Sequence, residues 1–569
     1  MEGDTMTGIA KEIIAHIQAV QSGGGGGALN IILETRMRVV PATLVAAAKE
    51  VLPVTLEVEP LFPATAGGDA DLGRFQRLRL PGVVPGALPG STFDLAYALK
   101  DALDLVSAEP DLETEFYRQP IRQPGAGPEF RGDNLNCWVN TPAPPDRVWA
   151  LRSMRVPQAW DYSVAQGRLA QGRGVSIAQP DTGVALHVEL EGALDFTRAT
   201  DVLEGDQNPA DDLIGDGPAA NPGHGTGTAS VAVSRGAVPA TPVHGAGEVV
   251  GTAPQASLAP IRCIESVIRI SQASVAKAVE HARQQGCHVI TMSLGGLPSA
   301  ALKAALLRAV EDNIIVLAAA GNCVGWVVWP AAYERCIAVG GTNIQDGTWK
   351  GSCHGPQVDV SAPAELVWRA VREAGDTQFD RISGGQGTSF AVALTAGVAA
   401  LWLAHHGRAA LIANLGSGER LQDRFRRLLM ETARRPAAWN AEEYGTGIVD
   451  AEALLMRGPG TPGGAGPESV HLGASDAVSI ARLLTDVAKP EATPHVGAAF
   501  QVGLSPAELE RYGVELAWLA FKTRLATVAA PASPEAAAQP PVPSVELATV
   551  LARAGGTVAN PLAKALRVR

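Results

Sequence analysis

The sequence predicts an α/β protein: a doubly wound parallel sheet, preceded by a small α+β domain and followed by a helical extension. Three observations carry this. Between Val148 and about Leu455 short apolar runs alternate with helix-length stretches, the pattern of parallel strands joined by crossover helices. Between Leu29 and Tyr117 the runs fall in the order β-α-β-β-α-β, the split βαβ or ferredoxin-like arrangement. Beyond Pro467 the remaining pattern is helical.

Residues 1–27 hold an amphipathic helix candidate, Ile9 to Val20, and a Ser/Gly-rich spacer, Gln21 to Gly27, that isolates it. Residues 28–118 form the small domain. Its predicted strands are Leu29 to Glu34, Val54 to Leu61, Phe75 to Leu80 and Leu112 to Tyr117, and its helices are Pro41 to Val51 and Phe93 to Val106. A Pro- and Gly-rich linker fills residues 119–147. The main domain, 148–456, has candidate strands Val175 to Ala178, Ser257 to Ile261, Val289 to Leu294, Ile314 to Ala319 and Ile337 to Gly340. A Gly/Pro linker at 457–467 leads into the extension, 468–569, with helices expected at 475–489, 505–528, 544–554 and 560–567 and a Pro/Ala-rich break from Pro531 to Pro543. Ser505-Pro506-Ala507-Glu508 has capping-box spacing with proline at the first helical position. The helix it starts places Leu509, Tyr512, Leu516 and Leu519 on one side, a face for docking.

The chain has 569 residues, enough for two to four domains. It is 46% hydrophobic and only 18% charged, which suits a well-buried enzyme and excludes a disordered chain. A net charge of −12, with no Lys/Arg cluster to reverse it, argues against nucleic-acid binding. No membrane span is expected, because the longest apolar run, Phe390 to Ala404, is broken by Thr395 and Gly397. The first residues lack the basic and apolar regions of a secretory signal, so the chain as given reads as cytoplasmic, a misassigned start being the route by which secretion would be hidden. Six cysteines in a chain this large do not make a disulfide scaffold, and none forms a CxxC pair for zinc.

Four segments carry chemistry. The strand Val175 to Ala178 runs through Gln179-Pro180 into Asp181-Thr182-Gly183, where an open parallel sheet collects functional residues. Taken alone, Asp181 is a turn-capping aspartate. His224 lies in Gly223-His224-Gly225, and its glycine flanks allow another group to approach closely. The other histidines singled out, His187, His244, His281, His288, His405 and His406, read as core or surface fillers. The strand ending Ser293-Leu294-Gly295-Gly296 leaves its backbone exposed, and the strand ending Ala319-Ala320-Gly321-Asn322 presents one amide that can donate to an oxyanion. Last comes Gly387-Thr388-Ser389, a small-residue turn running into the apolar helix from Phe390 to Leu401. A serine there lies near the free N–H groups of a helix start, where developing negative charge is favoured, although ordinary capping writes the same string.

The order Asp181, His224, Ser389 on an α/β sheet resembles the subtilisin-like serine proteases, the subtilases. Gly251-Thr252-Ala253-Pro254, Trp329-Pro330-Ala331, Val358-Asp359-Val360-Ser361-Ala362-Pro363 and Tyr444-Gly445-Thr446-Gly447 stand in family order. The resemblance spans roughly Val148 to Leu455 and implies a serine endopeptidase acting on extended polypeptides. It assigns Ser389 as nucleophile, His224 as general base, Asp181 as the group that orients His224, and Asn322 as oxyanion donor. It places substrate against Ser293, Leu294, Gly295, Ala319 and Gly321 by strand addition. Val328 is expected to fill part of the pocket for the residue before the scissile bond and to favour small apolar side chains. The chain departs from the family at Gly227 and Thr228, where His and Val are usual, and at Ala393, where Pro is frequent.

The small domain resembles the family's inhibitory propeptide, which implies an intramolecular inhibitor and self-cleavage between Arg118 and Pro145. No resident cofactor is expected, with calcium possible but not established by the sequence. Relatives often bind calcium, but the acidic loop Asp201, Glu204, Asp206, Asp211, Asp212 and Asp216 fits no ligand template and reads as a solvated loop. Cys323 and Cys353 are tempting as a pair, which a cytoplasmic chain would keep reduced. The competing reading is a catalytically silent subtilase scaffold that binds protein segments.

Overall fold

In the computed structural model, residues 9–553 are described except 10, 25, 63–70, 85–87, 89–90, 113–136, 214–220, 237–248, 266, 270–271, 378, 464–479, 481–503 and 529–541. The small domain comprises α1 (Lys11–Ser22), β1 (Ala28–Glu34), α2 (Pro41–Val51), β2 (Glu57–Pro60), β3 (Phe75–Pro81), α3 (Thr92–Ala102) and β4 (Ser107–Asp111). Its antiparallel sheet is ordered β2-β3-β1-β4. Side chains alternate across β1: Leu29, Ile31 and Leu33 enter a core with α2 and α3, while Ile32 faces the main domain. A strand buried on both faces reads as one apolar run.

Two expectations are corrected here. The last strand is Ser107–Asp111, not Leu112 to Tyr117, of which 113–117 lie outside the described residues. Pro110 steers a sequence reading away from a strand, yet β4 is an edge strand paired only with β1, where proline is tolerated. The helix before it stops at Ala102, and Asp104 adopts φ 49° as the chain turns into β4. The first helix is not isolated by its glycine spacer either. Ile13 and Ile17 of α1 join the small-domain core, and Gln21 Nε2 donates to the Thr55 and Pro81 carbonyls.

The main domain follows as α4 (Trp149–Ser153), α5 (Val156–Ala165), β5 (Ser176–Asp181), β6 (Thr200–Asp201), α6 (His224–Val233), β7 (Ser257–Arg262), β8 (Ile268–Arg269), α7 (Ala273–Gln284), β9 (Val289–Met292), β10 (Gly295–Gly296), α8 (Ala300–Glu311) and β11 (Ile315–Ala319). It continues with β12 (Ile337–Thr342), β13 (Val360–Pro363), β14 (Val367–Ala370), β15 (Ile382–Gly385), α9 (Thr388–His406), α10 (Arg408–Ala413), α11 (Leu421–Thr432), α12 (Ala441–Tyr444) and α13 (Ala451–Met456). The extension contributes α14 (Pro506–Val528) and α15 (Val545–Arg553). Most of the helix expected at 475–489, and all of that at 560–567, lie outside the described residues.

The central sheet is parallel and ordered β13-β12-β11-β9-β5-β7-β6. Chain order reverses at β5: β6 and β7 lie to one side, and β9, β11, β12 and β13 to the other. Such a switch point opens a crevice beyond the carboxyl ends of the strands. Asp181 is the last residue of β5, and Ser293 follows β9 directly.

Helix α9 is apolar all round, the mark of a core helix. By length and composition its 19 residues would suffice to cross a membrane, but it is buried inside the domain against β9, β11, β12 and β13. At Gly397 a Cβ would stand 2.4 Å from Thr252 Cβ, so the helix seats closely only with glycine there.

The small domain shares one apolar cluster with α7, α8 and the extension, through Ile32, Phe75 and Phe93 on its side, Val279 and Leu302 on the main domain, and Leu516 and Leu551 beyond. Glu109 of β4 accepts the Ala300 N–H at the start of α8 at 2.8 Å, a carboxylate on the positive end of a helix. Burial pushes its carboxyl up to about 7. The extension begins as its sequence requires: Ser505 N–H donates to Glu508 Oε2 and Glu508 N–H to Ser505 Oγ, a reciprocal capping box.

Candidate active site

His224 opens α6 after Gly223, which caps it in a left-handed conformation at φ 71°. At Gly225 a Cβ would sit 2.0 Å from the Gly183 carbonyl, so only glycine lets α6 approach the end of β5. That approach brings His224 Nδ1 to 2.7 Å from Asp181 Oδ1, with both side chains almost fully buried. Asp181 accepts two further hydrogen bonds, from Thr182 N–H at 2.7 Å and from the Thr228 hydroxyl at 3.2 Å. Thr228 is one of the departures from the family pattern, and its hydroxyl adds a contact that valine could not make. A second departure, Gly227, leaves room for Arg369, whose Cδ would be 2.9 Å from a Cβ at that position.

Ser389 sits in the first turn of α9. Its hydroxyl makes a long 3.4 Å contact to the Ser293 carbonyl, and the Ser293 hydroxyl donates to the Ser389 carbonyl at 3.0 Å. Asn322 Oδ1 accepts from both the Thr388 N–H at 2.9 Å and the Thr388 hydroxyl at 2.8 Å. The same hydroxyl accepts the Gly321 N–H at 3.1 Å. These contacts fix the amide, so that Asn322 Nδ2 faces the space that a side chain at Gly387 would fill, 3.3 Å from that Cβ position. Thr388 was visible in the Gly387-Thr388-Ser389 motif, but nothing in the string announced its hold on Asn322.

The expected substrate-side residues are only partly gathered. Val328 lies between two glycines: a Cβ at Gly295 would meet its γ-methyl at 2.5 Å and one at Gly321 at 2.9 Å. Leu294 is buried in the core cluster and Ala319 ends β11. Gly295 donates its N–H to the Val267 carbonyl at 2.9 Å, and β10 pairs in parallel with β8. The backbone edge there is already engaged.

The acidic loop is organised by a cation supplied by the protein. Arg262, at the end of β7, pairs with Asp201 and Asp212. Asp201 Oδ1 also accepts the Leu203 and Glu204 N–H groups, and Asp211 accepts from Thr182, Leu213 and Gly223. Asp201, Asp211 and Asp212 are thus engaged by a guanidinium, a hydroxyl and N–H donors, and no group of three or more His, Cys, Asp or Glu that could hold a metal occurs among the described residues. Asp216 and His244 lie outside those residues. Other histidines make structural hydrogen bonds, as His405 Nδ1 does with Ser163 Oγ at 2.8 Å and His281 with the Arg198 carbonyl at 2.9 Å.

Residues 172–448 match the subtilase family. Thermitase from Thermoactinomyces vulgaris is 32% identical over 274 residues, covering 48% of this chain and 87% of its own. Alkaline elastase YaB from Bacillus sp. (strain YaB) is 29% identical over 309 residues, 54% of this chain and 69% of its own. Subtilisin Savinase from Lederbergia lenta is 29% identical over 309 residues, 54% of this chain and 97% of its own. The chain belongs to the subtilase family and is a serine-type endopeptidase.

The cysteine expectation is corrected. Cys323 pairs with Cys137, not with Cys353, in a disulfide whose Cα atoms are 5.8 Å apart. Cys353 is buried against Gly321, with its Sγ 3.1 Å from where a Cβ would stand. A pairing 186 residues apart has no local signal in the sequence. Disulfides persist in oxidising compartments, so the cytoplasmic expectation is not supported. Thiol titration of unreduced, denatured protein is expected to find four free thiols, those of Cys263, Cys287, Cys336 and Cys353. A count of six would remove the disulfide.

Proposed function

We propose that Ser389, His224 and Asp181 form the catalytic triad and that Asn322 is the oxyanion donor, with the buried Asp181–His224 hydrogen bond as the observation that carries the reading. With Nδ1 engaged by Asp181, His224 carries out proton transfer through Nε2. Ser389 Oγ attacks the scissile carbonyl while its proton passes to Nε2. The tetrahedral oxyanion takes hydrogen bonds from Asn322 Nδ2 and the Ser389 N–H. Collapse breaks the C–N bond, and His224 returns the proton to the leaving amine. Water, deprotonated by His224, then attacks the acyl-enzyme and regenerates the Ser389 hydroxyl. Thr388 acts through Asn322 by holding its carbonyl side, which leaves the N–H₂ to donate. An extended peptide that pairs along Ser293 to Gly295 displaces β8, since Val267 holds the Gly295 N–H.

The small domain is read as an intramolecular inhibitor. Its support is the packing on α7 and α8 and the course of the connecting chain. That chain leaves β4 at Asp111 and is next described at Cys137, which is bonded to the residue after Asn322. Residues 28–118, 119–147, 148–456 and 468–569 remain our division into inhibitor, connector, peptidase and extension. The disulfide supports an oxidising compartment for the working enzyme.

A fluorophosphonate probe tests the triad. Chain freed of its small domain is expected to label, and Ser389→Ala not to label; absence of labelling in folded, freed wild type would overturn the assignment. Specificity is tested at Val328. Removing its two methyls from between Gly295 and Gly321 is expected, in Val328→Ala, to raise the kcat/KM ratio for Phe over Ala before the scissile bond by about 10-fold or more. An unchanged ratio would remove Val328 from the pocket.

A further inference from the structure

The extension, which lies beyond the matched region ending at Ile448, meets the small domain through a specific polar and aromatic interface. Helix α3 buries Leu95, Ala96 and Leu99 in its own domain. Its other face carries Phe93, Tyr97 and Asp101, spaced as one helical stripe, and this stripe lies on α14. Phe93 packs on Trp518 with ring centroids 5.6 Å apart, and Tyr97 meets Tyr512 edge-on at 5.4 Å. Arg511 binds Asp101 with two hydrogen bonds, at 3.0 and 2.7 Å, and lies 5.2 Å above the Tyr97 ring.

Two carboxylates lock the arrangement. Glu515, fully buried, accepts from the Tyr97 hydroxyl at 3.0 Å and from the Ser544 N–H and hydroxyl, so it joins α3, α14 and the start of α15. Asp94 caps two helices at once: Oδ2 accepts the Ser91 N–H at the start of α3, and Oδ1 accepts the Val545 N–H at the start of α15. The same helix α14 borders the peptidase. Ala507, Glu510, Arg511 and Val514 line a cavity of about 360 Å³ with Glu109 of the small domain and Lys303 of α8. The extension therefore touches both bodies at their seam, and the chain supplies both halves of every contact.

We infer that α14 and α15 form a clamp that retains the small domain on the peptidase after the connecting chain is cut, with the α3 stripe as its binding surface. The product of cleavage in the connector is then a two-chain complex that stays closed until the extension lets go. Its role as a brake on activity rests on the inhibitor reading above; the clamp itself does not.

The test uses the full Ser389→Ala chain carrying a recognition sequence for a site-specific protease within residues 119–136. After cutting, the small domain is expected to co-elute with the remainder on gel filtration. Arg511→Ala is expected to weaken that association by about 30-fold, the scale of an interface hot spot, and deletion of residues 504–569 to release the fragment. Where the deletion does not fold, Arg511→Ala and Trp518→Ala decide alone. Release of the fragment from the unaltered chain, or retention unchanged in both point variants, overturns the clamp. Cutting the Ser389 form and measuring peptide turnover separates the two ideas: a retained small domain with unimpeded turnover sinks the inhibitor reading and leaves the clamp standing.

Discussion

The hydrogen bond between Asp181 and His224 is the constraint on which the rest of the site depends. It joins the end of a central strand to the start of a helix, and it forms only because the backbone of Gly183 can lie against Gly225 without a side chain between them. The switch point at β5 supplies the crevice, and the long buried helix α9 delivers Ser389 to the same end of the sheet. Thr388 ties the serine turn to Asn322 by two hydrogen bonds, so Ser389 and Asn322, the nucleophile and oxyanion donor proposed above, share one support. Rigid placement of donors before reaction is what makes such sites effective, because no reorganisation is needed as charge develops.

Around this centre the chain is organised as three bodies that meet in one apolar cluster. The small domain contributes one face of its sheet, the peptidase contributes α7 and α8, and the extension covers the seam. Glu109 and Glu515, both pushed up to about 7 by burial, sit at the two junctions and are satisfied by donors from across them. The connecting chain enters the peptidase at Cys137 and is fastened there to the loop carrying Asn322. Gln386, three residues before Ser389, binds both backbone groups of Val139. The stretch after Cys137 is thus fastened to the loops that carry Asn322 and Ser389 by a disulfide and two hydrogen bonds.

Much of this was legible in the sequence, for local reasons. Asp181, His224, Asn322 and Ser389 each stand beside glycines or small residues that mark the ends of apolar strands or the start of a helix, and those signals span only a few residues. The five expected parallel strands appear because two-sided burial writes an unbroken apolar run. The features without such a signal depend on partners far along the chain. The strand at Ser107–Asp111 was hidden by Pro110, tolerated only because β4 is an edge. The Cys137–Cys323 bond, the hold of Thr388 on Asn322, and the pairing of Tyr97 with Glu515 across 418 residues have no local signature. The amphipathic face of α14 was readable, but what it would cover was not. The hold of Arg262 on the acidic loop, which reads in sequence as solvated, was equally invisible, since it reaches that loop from another strand.

The central claim is that Asp181 acts by holding His224 in the tautomer and orientation that proton transfer requires. The most direct measurement is turnover of a chromogenic peptide by the Asp181→Asn enzyme, freed of its small domain and shown to be folded. An amide of the same shape keeps the packing but offers His224 the wrong hydrogen-bonding partner, and kcat is predicted to fall by ~10⁴-fold with little change in KM. A loss smaller than about tenfold would mean that the buried Asp–His pair is structural, and the account of the site would have to be rebuilt without it.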